Sequence, residues 1–323
     1  MKKLLIGMLA SLLLVGCQFE IGLTVPDDYE PIKIVDVGDD VVTPTDEDEG
    51  DDVVIVPADI HTLPPLDTSG AIWSVDFDQY ANGTTYTEDL GDTDFNFQWE
   101  TFSMKESTIN GGRWDILIPK DLVKKGVHAA KNLTPTESVY FGYEIEFAPG
   151  YDFSMGGKLP GLVGLNKDLK KPNGNQVYPD GCNAYGQGPD EGFSLRSMFR
   201  EDGRAIGYFY HQDNPLLNGY CGEEISYMHN GEPFHFQRGV KYYVETYAQM
   251  NDANVANGIV RIWVNGQLVL ERTNMMLGEN RIYAINHLMF YIWHGGSSSS
   301  WAPSVDSLVH FDNVILSTTP ISH

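Results

Sequence analysis

The amino-acid sequence predicts an all-β protein, built as an antiparallel β-sandwich or jelly roll. Residues 138–147 alternate between apolar and polar side chains, which is the period of a strand with one buried face. Residues 261–271 place Asn265-Gly266 between two apolar runs, a strong signal for a two-residue hairpin turn. The 33 glycines and 17 prolines favour many turns, and no strand–helix–strand rhythm runs along the chain.

Further strands are predicted at residues 241–250, 285–293 and 309–316, whereas only residues 120–131 suggest a helix. In residues 138–147 one face is apolar, and we expect it in the core: Val139, Phe141, Tyr143, Ile145 and Phe147. The opposite face carries Tyr140, Glu144 and Glu146. No linker interrupts residues 68–323, so the sequence predicts one domain there.

Residues 1–17 have the pattern of an export signal. Lys2 and Lys3 precede an apolar run, residues 4–15, that is too short for a comfortable membrane span. Leu14-Val15-Gly16-Cys17 resembles the lipobox of bacterial lipoproteins, which implies cleavage before Cys17 and lipidation of its sulfur. We expect a lipoprotein of the bacterial outer membrane, facing the periplasm or the cell surface. The alternative is an ordinary signal peptide with a chance cysteine.

The charge of the chain is strongly acidic and unevenly distributed. The whole sequence has 45 acidic and 21 basic residues, a net charge of −24, which excludes general nucleic-acid binding through a basic surface. Residues 18–67 contain 15 acidic residues and one lysine, so we expect a disordered, extended tether. Residues 156–212, in contrast, hold seven Lys and Arg against six Asp and Glu, a comparatively basic strip suited to a polyanion.

The cysteines and histidines favour a disulfide over a metal site. Cys182 and Cys221 are the two cysteines of the predicted domain, and an exported domain with two cysteines suggests that they pair. The sequence has no Cys-x-x-Cys motif and no pair of histidines at metal-ligand spacing, so we expect no metal.

Residues 192–211 predict a hairpin that carries polar groups on one face. A two-residue turn would put Arg196 on the face opposite the two tyrosines. A three-residue loop that ends in a left-handed glycine instead places Arg196 opposite Tyr208 and Ser194 opposite Tyr210. We favour this second register, because it lets four polar tips converge. In the alternative, the tyrosines merely pack and their hydroxyls stay at the rim.

Three segments resemble motifs of polysaccharide lyase family 14, which includes alginate and related polyuronate lyases: Gly-Gly-Lys158-Leu-Pro-Gly, Phe-Ser194-Leu-Arg196 and Tyr208-Phe-Tyr210. The resemblance implies a β-jelly roll with a substrate groove, and it carries the family's functional lysine, serine, arginine and tyrosine pair onto these five numbered positions. The stretch between Lys158 and Ser194 is longer than the family pattern, and we expect its basic loop, residues 166–175, to reshape one end of the groove.

The resemblance implies β-elimination on a polyuronate, with mannuronate-rich alginate as the first candidate. We also expect the enzyme to be a monomer. Arg196 and Lys158 neutralise the carboxylate next to C5, and Tyr210 transfers the proton, as base and also as acid. Tyr208 positions the substrate or shares the second proton, and Ser194 binds the carboxylate or holds a tyrosine. This chemistry needs no redox cofactor and no catalytic metal.

Arg113, Tyr140 and Trp301 are further candidates for contacts with the sugar chain, although each also fits an ordinary surface or packing role. Two other functions compete with the lyase. A retaining glycoside hydrolase would need two carboxylates about 5 Å apart, and Glu144 and Glu146 have a workable spacing on one strand. A non-catalytic glycan-binding lipoprotein would use the same groove to bind polysaccharide without releasing product.

Overall fold

A computed structural model of the chain describes residues 59–102, 107–179, 192–212, 222–296 and 298–323. The folded body begins earlier than residue 68, the start predicted from the sequence. Ile60 is buried in the core, and its carbonyl accepts a hydrogen bond from Asn265 Nδ2 at 2.8 Å. Residues 59–67 therefore belong to the folded body, because their apolar side chains pack on it.

Strands dominate the described residues. They are β1 Ala71–Val75, β2 Thr84–Thr85, β3 Gln98–Phe102, β4 Ser107–Asn110, β5 Arg113–Ile118, β6 Gly126–Thr136, β7 Ser138–Phe147, β8 Gly157–Leu165, β9 Gly192–Phe199, β10 Ala205–Tyr210, β11 Glu223–Ser226, β12 Met228–His229, β13 Glu232–Pro233, β14 Lys241–Gln249, β15 Gly258–Val264, β16 Gln267–Met275, β17 Ile285–His294 and β18 Ser307–Ser317, with one α-helix, α1, at Glu88–Phe95.

The described strands form two large antiparallel sheets and one small hairpin. A nine-stranded sheet has the order β16-β15-β14-β7-β18-β5-β4-β2, with β1 also paired to β18. A seven-stranded sheet has the order β11-β10-β9-β8-β17-β6-β3, and β12 pairs with β13. The prediction of an all-β antiparallel sandwich is confirmed.

The core lies between the two large sheets. The apolar face predicted for β7 is buried there, from Val139 to Phe147 at alternate positions. Aromatic rings join the sheets: Trp114 of β5 stacks on Phe290 of β17 at 5.7 Å between ring centroids. The opposite face of each large sheet is therefore turned away from the core.

The Asn265-Gly266 turn is confirmed. Val264 pairs directly with Gln267, so two residues connect β15 to β16. Asn265 and Gly266 have φ values of 48° and 77°, the left-handed region that such a hairpin turn requires.

The helix predicted at residues 120–131 is wrong. Asp121 and Lys124 have left-handed φ values of 60° and 55°, which interrupt a helix, and β6 begins at Gly126. Two neighbouring strands hold β6 in the sheet, and this tertiary pairing overrides local helix propensity.

The helix that does form, α1, was not predicted. It begins after Thr87, whose side chain accepts a hydrogen bond from Leu90 N, and it ends at the left-handed Asn96. Within the described ranges, no helix is long and apolar enough to cross a membrane.

The outer face of the seven-stranded sheet, the face turned away from the core, collects polar and aromatic side chains. On β17, which lies between β8 and β6, this face carries every second residue: His287, Met289, Tyr291 and Trp293. Phe290 and Ile292 point the other way, into the core.

Candidate active site

Strands β9 and β10 pair in the register expected from a three-residue loop. Tyr208 lies opposite Arg196, and Tyr210 lies opposite Ser194. The loop is Glu201–Gly203, and its last residue has a left-handed φ of 78°. The register prediction is confirmed, and the four polar side chains share the outer face of the seven-stranded sheet.

Lys158 joins this group from β8, at an irregularity in the strand. Lys158 pairs with Met198 and Gly161 pairs with Arg196, so the register shifts between them. Pro160 lies inside the shift, and a proline cannot donate a ladder hydrogen bond. A Cβ on Gly161 would lie 2.1 Å from the carbonyl oxygen of Leu195, so glycine permits the close approach of β8 to β9.

The amine of Lys158 is enclosed by apolar and cationic groups. Its Nζ lies 3.9 Å from the ring centroid of Tyr208 and donates to Met198 Sδ at 2.7 Å. The side chain is only 8% exposed. Within the described residues no carboxylate forms an ion pair with it.

Burial lowers the pKa of Lys158 well below its ordinary value of 10.5, and the positive charges of Arg196 and Arg200 lower this pKa further. The negative charge of Glu224 raises this pKa, but its effect is smaller than that of burial or of either arginine. A lowered pKa makes this amine easier to deprotonate, as a group that accepts a proton must be.

Arg196 and the tyrosine pair lie side by side. Arg196 is 2% exposed, and its Cζ lies 5.4 Å from the ring centroid of Tyr210 and 5.9 Å from that of Tyr291. Its Nε has no hydrogen-bond partner among the described residues, so this guanidinium retains a buried donor. The rings of Tyr208 and Tyr210 are 5.4 Å apart and perpendicular.

The hydroxyl of Ser194 forms a hydrogen bond with the main chain. The residue is fully buried, and its Oγ donates to the carbonyl oxygen of Pro179 at 3.0 Å. This bond fastens residue 179, in the segment that follows β8, to the sheet.

The lysine, arginine and tyrosines lie in the part of the chain that matches a known family. Residues 121–314 match the model of polysaccharide lyase 14. The chain belongs to polysaccharide lyase family 14. It is therefore a polysaccharide lyase. A separate comparison with curated protein sequences found no significant match.

Solved alginate lyases have the same fold as this family 14 lyase. The alginate lyase Aly36B has a TM-score of 0.63 at 22% identity, over 81% of this chain and all of that one. The enzyme of Aplysia kurodai has a TM-score of 0.59 at 18% identity, over 77% of this chain and 99% of that one. The enzyme vAL-1 of Chlorella virus has a TM-score of 0.54 at 16% identity, over 74% and 99%. At these identities the similarity shows the fold alone.

Three aromatic side chains on the outer face of the seven-stranded sheet were not predicted from the sequence as part of the site: His128, Tyr291 and Trp293. His128 of β6 stacks on Tyr291, with ring centroids 5.0 Å apart, and lies 5.0 Å from Trp293. Burial lowers the pKa of His128 to about 4, with a smaller contribution from Arg196, so the imidazole is neutral at neutral pH. The strand at residues 285–293 was predicted, but both its faces are apolar, so alternation could not tell which residues face outward.

Trp301 lies at the edge of the lyase's candidate site. The Cζ of Arg200 is 5.4 Å from the Trp301 ring and 5.8 Å from the Tyr208 ring, so one guanidinium connects the two. Contact between Trp301 and substrate stays a prediction.

Arg113 and Tyr140 are not brought together with the other candidates. They lie on β5 and β7 of the nine-stranded sheet, on the opposite side of the sandwich. Arg113 Nη1 is paired with Glu146 Oε2 at 2.7 Å, and the Tyr140 ring packs on Tyr247 at 4.6 Å. Their assignment to the substrate groove is corrected. The local sequence could not reveal their position, because the sheet that a strand joins is decided by pairings with residues distant in sequence.

The three cysteines, Cys17, Cys182 and Cys221, lie outside the described residues, so lipidation and the disulfide stay predictions. In the described part of the chain, no three His, Cys, Asp or Glu side chains are grouped so that they could hold a metal ion.

Proposed function

We propose that this polysaccharide lyase cleaves a polyuronate by β-elimination, with mannuronate-rich alginate as the first substrate to test. The convergence of Lys158, Arg196, Tyr208 and Tyr210 on one sheet face carries the proposal. Solved proteins of the same fold are named alginate lyases, and a variant of one of them was solved with an alginate tetrasaccharide. An acidic sugar chain also fits a cationic site within an acidic protein.

Arg196 is the proposed clamp for the uronate carboxylate. A guanidinium can hold a carboxylate through two parallel hydrogen bonds, and Arg196 Nε is an unused buried donor. Neutralising the carboxylate withdraws charge from C5 and makes the C5 proton more acidic.

Lys158 and Tyr210 are proposed to divide the proton transfers. The neutral Lys158 amine takes the C5 proton, the C–H electron pair forms the C4=C5 double bond, and the C4–O4 bond breaks. The Tyr210 hydroxyl gives its proton to the departing O4, and a proton then returns from the Lys158 ammonium to the phenolate. This modifies the sequence-based assignment, in which Tyr210 was the base and Lys158 only a charge, because the Lys158 amine is enclosed against Tyr208 and Met198 and burial lowers its pKa.

Tyr208 is proposed as a positioning residue between the two. Its ring is in contact with the Lys158 amine and lies against Tyr210 and Arg200. Tyr210 instead lies beside Arg196, where the carboxylate and the neighbouring O4 would be held.

The hydrolase alternative loses its candidate carboxylates. Glu144 and Glu146 lie on the nine-stranded sheet, where Glu144 pairs with Lys241 and Glu146 with Arg113, each at 2.7 Å. They are ion-paired groups on one strand of the opposite sheet and do not line the candidate site.

The sequence supports an anchored enzyme. We propose that Cys17 is lipidated, that the acidic residues before the folded body form a spacer, and that the enzyme is a monomer at the outer membrane, on its periplasmic or cell-surface side. A Cys17→Ser variant should lose fatty-acid labelling and leave the membrane fraction. Intact-mass analysis without reductant should find no free thiol at Cys182 or Cys221 if the two cysteines form a disulfide, and two free thiols would contradict it.

The deciding experiment mixes the protein with polymannuronate, polyguluronate and glucuronan while ultraviolet absorbance is recorded. Elimination creates a conjugated C4=C5 bond that absorbs, and hydrolysis does not. A rise supports the proposal and ranks the substrates. New reducing ends without absorbance would contradict it in favour of a hydrolase, and binding without product would favour a glycan-capture protein.

A further inference from the structure

A cavity of about 260 Å³ lies against the outer face of the seven-stranded sheet, the face that also carries the candidate site. Among the described residues its lining includes two cations and no carboxylate, although the whole chain has more than twice as many acidic as basic residues. We call it the basic cavity, lined by Gln98, Asn132, Leu165, Lys167, Lys170, Gln176, Tyr178 and His287.

The long segment after β8 builds one wall of this cavity. Gln176 fastens the segment: its Nε2 donates to the carbonyl oxygens of Asn166 and Val177, and its Oε1 accepts from Lys170 Nζ at 2.7 Å. Val177 is fully buried and anchors the segment on the protein. The two lysines are therefore carried by a folded loop.

The floor of the cavity is a buried histidine with an unused nitrogen. His287 is 1% exposed; its Nδ1 lies 3.3 Å from Asn132 Oδ1, and its Nε2 has no hydrogen-bond partner among the described residues. Burial, with a smaller contribution from Lys167, lowers the pKa of His287 to about 4. The imidazole is therefore neutral at neutral pH and suits a hydroxyl, whereas the lysines suit an anion.

The basic cavity and the candidate site lie on one continuous face. His287 and Tyr291 both face outward from β17, and four residues of a strand span about 13 Å. A sugar chain held at Arg196 can therefore extend along β17 to the cavity.

We propose that the basic cavity is a second carboxylate-binding subsite, in which Lys167 and Lys170 hold a uronate residue remote from the cleaved bond. Every residue of a polyuronate carries a carboxylate, so a chain passing over β17 presents one there. His287 Nε2 accepts a hydroxyl of the same sugar. The inference rests on the proposed function and extends it, because it makes binding depend on chain length.

The test compares Lys167→Ala/Lys170→Ala with Lys171→Ala, which removes a charge from the same loop outside the cavity. Affinities for a trisaccharide-to-octasaccharide series of mannuronate are measured by calorimetry in a Tyr210→Phe background, in which we expect turnover to be slow. The double variant should bind long oligomers about tenfold more weakly and bind the shortest normally, whereas Lys171→Ala should bind all lengths normally. High salt should reduce the difference.

Kinetics on the otherwise unmodified enzyme give a second readout. The double variant should raise KM for the polymer and leave kcat within about twofold. Equal affinities for long oligomers, or an equal loss in Lys171→Ala, would overturn the subsite. Absence of unsaturated product with a length-dependent affinity difference would instead contradict the lyase proposal and leave the subsite standing.

Discussion

Replacing Lys158 with methionine separates its chemical role from its structural role. Methionine keeps an unbranched stem of similar length, so the substitution removes the amine without opening a large cavity. Because Lys158 is only 8% exposed and its amine has no carboxylate partner among the described residues, removing the amine relieves a desolvation cost. We expect the free energy of unfolding to rise by about 1–3 kcal/mol, while kcat/KM falls by about 10²–10⁴-fold.

The pH dependence of this stability difference is a sharper measurement. The pKa of Lys158 is lowered in the folded state, so the unfolded chain binds an extra proton in the window below the ordinary value of 10.5. Wild-type stability therefore rises with pH in that window, and it is lost as the pH falls. Denaturant unfolding of both proteins should show the advantage of Lys158→Met shrinking as the pH approaches 10.5.

Lys158→Arg tests whether a base or a charge is needed. A guanidinium keeps the positive charge at every accessible pH and cannot act as the proton acceptor. We expect this variant to be as inactive as Lys158→Met in the absorbance assay. Substantial activity in Lys158→Arg, or a Lys158→Met protein less stable than wild type, would refute the reasoning.

Four further substitutions test other parts of the structure. Tyr210→Phe should lower kcat by about 10²–10⁴-fold and Tyr208→Phe by less, measured by product absorbance; the reverse order would exchange their roles. Burial lowers the pKa of His294 from 6.5 to about 4, so protonation in the unfolded chain lowers the free energy of unfolding by up to about 3 kcal/mol as the pH falls from 6.5 to 4. His294→Phe should reduce that pH-dependent loss of stability in denaturant titrations, and an unchanged dependence of stability on pH would contradict the assignment. Gly161→Ala should lower stability by about 1–3 kcal/mol, seen as a lower melting temperature, because its Cβ would meet the Leu195 carbonyl; an unchanged melting temperature would show that β8 can move away.

The local parts of the site could be predicted from the sequence. Loop length and the left-handed glycine fix the β9–β10 register, so the pairing of Arg196 with Tyr208 followed from a short stretch of chain. The Asn265-Gly266 turn was equally local. Both predictions needed no knowledge of which sheet the strands join.

The parts that failed depend on distant pairings. Arg113 and Tyr140 lie on strands of the nine-stranded sheet, and nothing in their neighbourhoods encodes that membership. The prediction of a helix at residues 120–131 failed because residues from Gly126 onward form β6, which pairs with β17 and β3. The burial of Lys158 depends on Met198 and Tyr208, which are separated from it by a long stretch of sequence.

The topology also determines when the enzyme becomes active during folding. Ala71 of β1 pairs with Ser317 of β18, and β6 pairs with β17, so strands from opposite ends of the domain must meet before either sheet is complete. Such high contact order makes folding slow, since long loops close before their contacts form. Lys158 and Tyr291 lie on adjacent strands, β8 and β17, that are far apart in sequence, so lyase activity should return after the early far-ultraviolet signal of β-structure. Recovery of activity would then report closure of the whole sandwich.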